Sequence, residues 1–156
     1  LVRQIVSGIP LRIYAGFTTE ELYNTQTVFN IISKDEDKLP MKYLLALLNS
    51  NLMNFYHRFR YLDLSKNLFQ KILIQNCKKF PVRLLVVPEE KKAQAELIDL
   101  VNQIILLTKE HQKVRLITDK EQLQSRIDYV EARINSIIYA LYGLSQKEIE
   151  IIERNG

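Results

Sequence analysis

Residues 118–142 read TDKEQLQSRIDYVEARINSIIYALY, and their apolar positions decide the architecture. Leu123, Ile127, Val130, Ile134, Ile137 and Leu141 recur at spacings of four, three, four, three and four. An a/d seam sustained over nearly three heptads predicts a long helix with one apolar stripe. Upstream, Ala93, Leu97, Leu100, Ile104 and Leu107 repeat the pattern between Glu89 and Glu110, predicting a second amphipathic helix. The polar stretch Lys109–Lys113, with His111 and Gln112, reads as the connector. Two such helices bury their stripes most simply against each other, as an antiparallel hairpin. Gly143 follows where a left-handed C-cap is wanted. Ser145 with Glu148 then reads as a capping box that opens a short last helix through Ile149 and Ile152.

Working outward, the first half is mixed. Residues 9–15 alternate around Pro10, and residues 27–32 are rich in β-branched and aromatic side chains, so both read as strands. The charged run 34–38 reads as a turn, and Pro40 suits the first turn of a helix. That helix carries Leu44, Leu48, Leu52, Phe55 and Phe59 on one stripe, with Asn49, Ser50 and Asn51 interrupting its middle. Residues 69–74 read as a further strand. The expected fold class is therefore α+β. A small mixed-strand region with a central helix (residues 1–88) precedes an antiparallel helical hairpin and a short C-terminal helix (residues 89–156).

The charge divides at the same place. Residues 1–88 hold 12 Lys and Arg against 6 Asp and Glu, whereas residues 89–156 hold 10 against 12. A basic first half points to a polyanionic partner; a solvated surface of uneven charge is the plain alternative. The 156 residues suit one globular unit, and a single cysteine, Cys77, excludes an internal disulfide framework. The longest apolar run is far short of a membrane span, and no basic-then-apolar leader is visible. These features point to the cytoplasm. Leu1 in place of Met reads as a fragment of a longer chain.

Groups that could carry catalysis are sparse. His57 and His111 lie on different predicted elements without a His or Cys at ligand spacing, and each reads as a surface or helix-face histidine. Asp35, Glu36 and Asp37, flanked by Lys34 and Lys38, read as a solvated charge cluster rather than paired acid–base carboxylates. Lys78 and Lys79 would lower the pKa of Cys77, but no His lies near in sequence to act as its base. Glycines at 8, 16, 143 and 156 form no phosphate cradle. No metal site and no catalytic residues are expected within these residues. Nucleic-acid binding is better supplied. Arg3, Arg12, Arg58, Arg60, Lys66 and Lys71 are the candidate DNA-binding residues, with Gln4, Tyr14, Tyr23, Asn24 and Gln26 near the first two in sequence. Arg and Lys neutralise phosphates and read guanine, and Asn and Gln pair with adenine edges. Taken one by one, the tyrosines read rather as half-buried strand residues and the amides as turn formers; only the cluster as a whole points to DNA.

The segment Tyr43-Leu-Leu-Ala-Leu-Leu-Asn-Ser-Asn-Leu-Met-Asn-Phe-Tyr56 resembles the hallmark of the TaqI-like C-terminal specificity domain of adenine-specific type II/IIG restriction–modification enzymes. Leu1-Val-Arg-Gln-Ile5 is similar to the family's opening Arg-Gln strand, and Phe80-Pro81-Val82 to the element closing its recognition region. Leu141-Tyr142-Gly143-Leu144 resembles its Tyr-Gly-Leu ending. The resemblance implies a target-recognition domain for double-stranded DNA, following an adenine-N6 methyltransferase domain of the same parent chain, in some members with a nuclease. S-adenosylmethionine and magnesium would belong to that other part, whose Asn-Pro-Pro-Tyr motif is absent here. The helical half would act as a spacer. The family's base-reading residues vary with the target, so the candidate residues rest on charge and position. The competing reading is a helical protein-interaction or dimerisation module without DNA binding. It would leave the heptad seam open to a partner.

Overall fold

The computed structural model describes residues 1–65 and 70–155. It is an α+β fold, with β1 (Val2–Arg3), β2 (Val28–Phe29), α1 (Met41–Asn49), α2 (Asn51–Tyr61), α3 (Ile74–Cys77), α4 (Pro88–Lys113), α5 (Ile117–Leu141) and α6 (Gln146–Arg154). The expected hairpin is α4 and α5, whose connector is only Val114 to Leu116, so the two helices must run antiparallel. Residues 109–113, expected in the connector, instead continue α4. Polar side chains on the outer face of a long helix cost little, so polarity alone did not end it. Arg133 pairs with Glu96 at 2.6 Å across the hairpin.

The seam closes inside the chain. Leu97, Val101, Leu107, Leu123, Ile127, Val130, Ile134 and Ile137 are all buried in one core, which also takes Tyr43, Ala46 and Leu47 from α1 and Leu85 from the segment before α4. Helix α1 is buried on both sides. Its Leu44 and Leu48 turn the other way, into a second core with Val2, Val6, Ile13, Met53, Ile72 and Phe80. Pro88 opens α4, yet the first of these cores runs across that point.

The end of the molecule is built from local signals. Gly143 adopts φ +65° after α5, and the Leu144 N–H reaches back to the Tyr139 carbonyl at 3.0 Å. Ser145 and Glu148 form the reciprocal capping box that starts α6. The Tyr142 hydroxyl donates to the Pro81 carbonyl at 2.6 Å, so the turn after α5 is tied to the segment 80–82.

The strand region is more fragmentary than its composition predicts. Residues 1–7 form its spine, and their amides alternate between two neighbours. Arg3 donates to Tyr14 and Ser7 to Arg12 on one side, while Gln4 donates to Thr27 and Val6 to Gln70 on the other. Residues 9–15 are thus the return arm of a hairpin rather than a continuous strand, with a cis Ile9–Pro10 bond at its tip. Of residues 27–32 only Val28 and Phe29 form a strand. Of residues 69–74, Lys71 bridges Ile5, Ile74 begins α3, and Phe69 lies outside the described residues.

The expected single central helix is two. Ser50, with φ −66° and ψ 152°, breaks it; its hydroxyl accepts from Met53 N–H at 3.2 Å and donates to the Leu47 carbonyl at 2.7 Å. Pro40 is the extended N-cap of α1 rather than part of its first turn. The stripe of five apolar residues divides with the helix: Leu44 and Leu48 are buried, Leu52 and Phe55 partly so, and Phe59 is exposed.

Candidate nucleic-acid interface

The break at Ser50 turns three asparagines toward the return arm of the hairpin. One edge of residues 12–16 pairs with residues 1–7, which leaves the amides of Ile13 and Ala15 facing α1 and α2 without a strand. Side chains take the place of the missing strand. Asn54 Oδ1 accepts from Ile13 N–H at 2.6 Å, and its Nδ2 donates to the Ser50 carbonyl at 2.8 Å. Asn49 accepts from Ala15 N–H at 2.9 Å and donates to the Ala15 carbonyl at 3.0 Å. Backbone amides without a strand neighbour need partners, and here carboxamides at a helix break supply them, to the buried Ile13 amide and to the more exposed Ala15. The hairpin is thereby held in one position on the helical body.

Two of the expected DNA-binding cations make hydrogen bonds within the fold. Arg12 Nη2 donates to Asn51 Oδ1 at 3.0 Å and to the Asn49 carbonyl at 3.4 Å. The cleft around it is lined by Asp128, Glu131 and Glu153, so a phosphate brought there would meet three carboxylates. The Arg58 guanidinium is hydrogen-bonded to the Asn155 carbonyl at the end of α6 and lies 5.1 Å from the Phe59 ring centroid. Its partial burial lowers its pKa. Arg60 is exposed, stacked near Tyr61 at the rim of an apolar groove between α2 and α6.

Arg3 and Lys71 are arranged differently. Val2 and Val6 point into the core, and alternation along the spine sends Arg3 and Ile5 to the opposite, outer face. Lys71 is the bridge partner of Ile5 while its neighbour Ile72 is buried, so Lys71 joins that face. Tyr14 lies opposite Arg3 and is half exposed. Arg3 reaches toward the hairpin tip, where it donates to Ser7 Oγ at 3.3 Å. The five candidate cations among the described residues therefore do not form one patch. Arg3 and Lys71 share an outer sheet face, Arg12 and Arg58 are tied within the fold, Arg60 stands apart, and Lys66 lies outside the described residues.

The chain matches the family model of the TaqI-like C-terminal specificity domain over residues 1–82. It belongs to that family. The match covers the spine, the hairpin, both central helices and the Phe80-Pro81-Val82 element of the specificity domain. The resemblance at Leu141–Leu144 falls beyond it. No curated protein and no solved structure matches the chain.

The remaining chemistry-bearing residues of this specificity domain are placed by the fold as well. His57, read as a surface or helix-face histidine, lies on the buried face of α2, 1% exposed and packed 5.9 Å from the Phe80 ring and 6.0 Å from that of Tyr61. Burial pushes its pKa down to about 4, and its Nε2 has no hydrogen-bond partner among the described residues. Cys77 is also shielded, and burial raises its thiol pKa rather than the neighbouring lysines lowering it. Asp35 forms a 3.0 Å ion pair with Lys38, which holds its carboxyl below the usual range. Among the described residues no three His, Cys, Asp or Glu side chains gather where they could hold a metal ion, and no helix is long and apolar enough to cross a membrane. The asparagines at 49, 51 and 54 form a structural framework that sequence reasoning did not single out. Their signal was three amides interrupting an apolar helix, since polar groups in a buried stripe require partners.

Proposed function

We propose that the chain is the DNA target-recognition domain of a restriction–modification adenine-N6 methyltransferase, and that Arg3 and Lys71 contact the DNA backbone from the outer sheet face. The observation that carries this reading is the membership of the specificity-domain family over the residues that build that face. A basic pair on a hairpin-bearing sheet, held from behind by α1, is well matched to duplex DNA. A two-stranded ribbon fits the major groove, and cations on its flanks neutralise phosphates. Arg60 and Lys66 remain candidates for further phosphate contacts. Arg12 and Arg58 serve the fold in this reading.

The domain itself holds no catalytic role here. Methyl transfer, and cleavage where a parent has it, belong to a methyltransferase part of the same parent chain that would hold S-adenosylmethionine and magnesium in the cytoplasm. The glycines fit this division, because Gly8 closes a hairpin tip and Gly143 ends α5, leaving neither in a nucleotide-cradling loop. An interaction module reading has less support, since the heptad seam on which it rests is buried within the chain.

Titration of a short duplex at low and moderate salt tests the proposal. Affinity on the order of 10⁻⁴–10⁻⁶ M at physiological salt, rising steeply as salt falls, is expected for a domain separated from its partner. Binding that ignores salt would overturn it.

A further inference from the structure

The tip of the hairpin offers more than charge. Ile9 is fully exposed, so its four-carbon side chain does nothing for the fold. The turn that carries it is nonetheless tightly built. Ser7 and Arg12 exchange both backbone hydrogen bonds, at 2.8 and 3.4 Å, and close the loop. Gly8 sits at φ +92°, where a Cβ would lie 3.1 Å from both the Pro10 carbonyl oxygen and the Tyr14 hydroxyl. Only glycine fits there without displacing its neighbours. Behind the tip, Asn49 and Asn54 hold the return arm on α1 and α2. Beside it, Arg3 is bonded to Ser7, and Lys71 stands on the same face.

We propose that Ile9 is a sequence-reading residue that contacts the 5-methyl group of thymine in the major groove. The inference rests on the DNA-binding reading above and gives it a specificity determinant. A single exposed isoleucine is ordinary on a protein surface. What distinguishes Ile9 is its support: an apolar group at the apex of a pinned two-stranded ribbon, next to an outer sheet face on which Arg3 and Lys71 could engage phosphates. The thymine methyl is the apolar feature of the major groove, and apolar side chains read it by contact. Rigidity matters because a contact this small survives only if little ordering entropy is lost on binding. The mechanism needs no hydrogen bond from the tip.

The test compares a short duplex of alternating adenine and thymine with the same duplex in which deoxyuridine replaces thymidine, removing only the methyl groups. The full chain is titrated at low salt by fluorescence anisotropy, alongside Ile9→Ser and Ile9→Leu. The wild-type chain should bind the thymine duplex about fourfold more tightly, the value of removing one methyl-sized group from water. Ile9→Ser should bind both duplexes alike with an unchanged salt slope, and Ile9→Leu should retain the preference. Because the Ile9 side chain is fully exposed, Ile9→Ser should fold as the parent does, which a melting curve establishes. Salt-dependent binding with no methyl preference, or a preference that persists in Ile9→Ser, would overturn the role of Ile9 and leave the DNA-binding reading intact. Absence of binding by the wild-type chain would overturn both.

Discussion

The carboxamide of Asn49 pairs with both backbone groups of Ala15, accepting from its N–H at 2.9 Å and donating to its carbonyl at 3.0 Å. One side chain thus does what an adjacent strand would do. Together with Asn54 on Ile13 it fastens the hairpin to the helix pair that also faces the α4–α5 core. The position of the hairpin is therefore a property of the whole molecule, and its disruption should be felt in stability as well as in binding.

Asn54→Ala leaves the buried Ile13 N–H without its acceptor. An unsatisfied buried donor costs about 1–3 kcal/mol, so the midpoint of urea unfolding should fall accordingly. Hydrogen exchange should also accelerate at Ile13 relative to the core amides of α5. Unchanged exchange at Ile13 would show that the amide is protected by other means.

Arg58→Ala should destabilise the fold, because its guanidinium holds the end of α6 through the Asn155 carbonyl. Loss of a hydrogen bond from a charged donor is worth roughly 1.5–3 kcal/mol. Arg60→Ala, at an exposed site, should stay within about 0.5 kcal/mol of the parent. Thermal melts of the two variants side by side decide the matter, and equal melting temperatures would remove Arg58 from the framework.

Replacing Arg3 and Lys71 together by Ala should weaken DNA binding while leaving unfolding nearly untouched. If each contacts one phosphate, the slope of log affinity against log salt should become shallower by about 1.8. The same measurement on Arg12→Ala should show a stability loss as the larger effect, since that side chain is hydrogen-bonded to Asn51 in a cleft lined by carboxylates. A steeper loss of affinity from Arg12 than from the Arg3 and Lys71 pair would move the DNA face to the other side of the hairpin.

His57 makes stability depend on pH. In the fold its imidazole stays neutral down to about pH 4, whereas in the unfolded chain it takes up a proton near 6.5. As pH falls through that window the unfolded state binds the proton first, so stability is lost with falling pH and levels off below about 4. The span amounts to roughly 3 kcal/mol. His57→Phe, which keeps the aromatic packing, should lack this component; the difference between the two unfolding curves at pH 7 and pH 4.5 isolates it. A constant difference would mean that the ring titrates alike in the folded and unfolded chain, as it would if water reached it.

Truncating Ile134 in the buried seam to Ala should cost about 2–5 kcal/mol through lost transfer energy and the cavity left behind. Because α5 also supplies Asn135, whose Oδ1 accepts from Asn51 N–H at 2.9 Å, some of that loss should appear at the α1–α2 break. Chemical unfolding followed by signals from α2 and from α5 should show a single transition.

The sequence by itself determined what is local. The α4–α5 pair, the Gly143 stop and the Ser145–Glu148 box follow from spacings of a few residues, where the period of the helix and the geometry of its ends leave few alternatives. The buried seam was legible for the same reason. Tertiary structure alone decided which polar groups are free. Asn51 and Asn135 are 84 residues apart, and Arg58 and Asn155 are separated by 97, so no pattern along the chain pairs them. Arg12 reads as a free cation until Asn51 is folded against it, and His57 reads as a helix-face histidine until Phe80 and Tyr61 close over it. A charge acts on a distant partner only when it is not already neutralised or desolvated at home. Contacts between segments engage Arg12 and Arg58 within the fold and leave Arg3 and Lys71 on the outer sheet face.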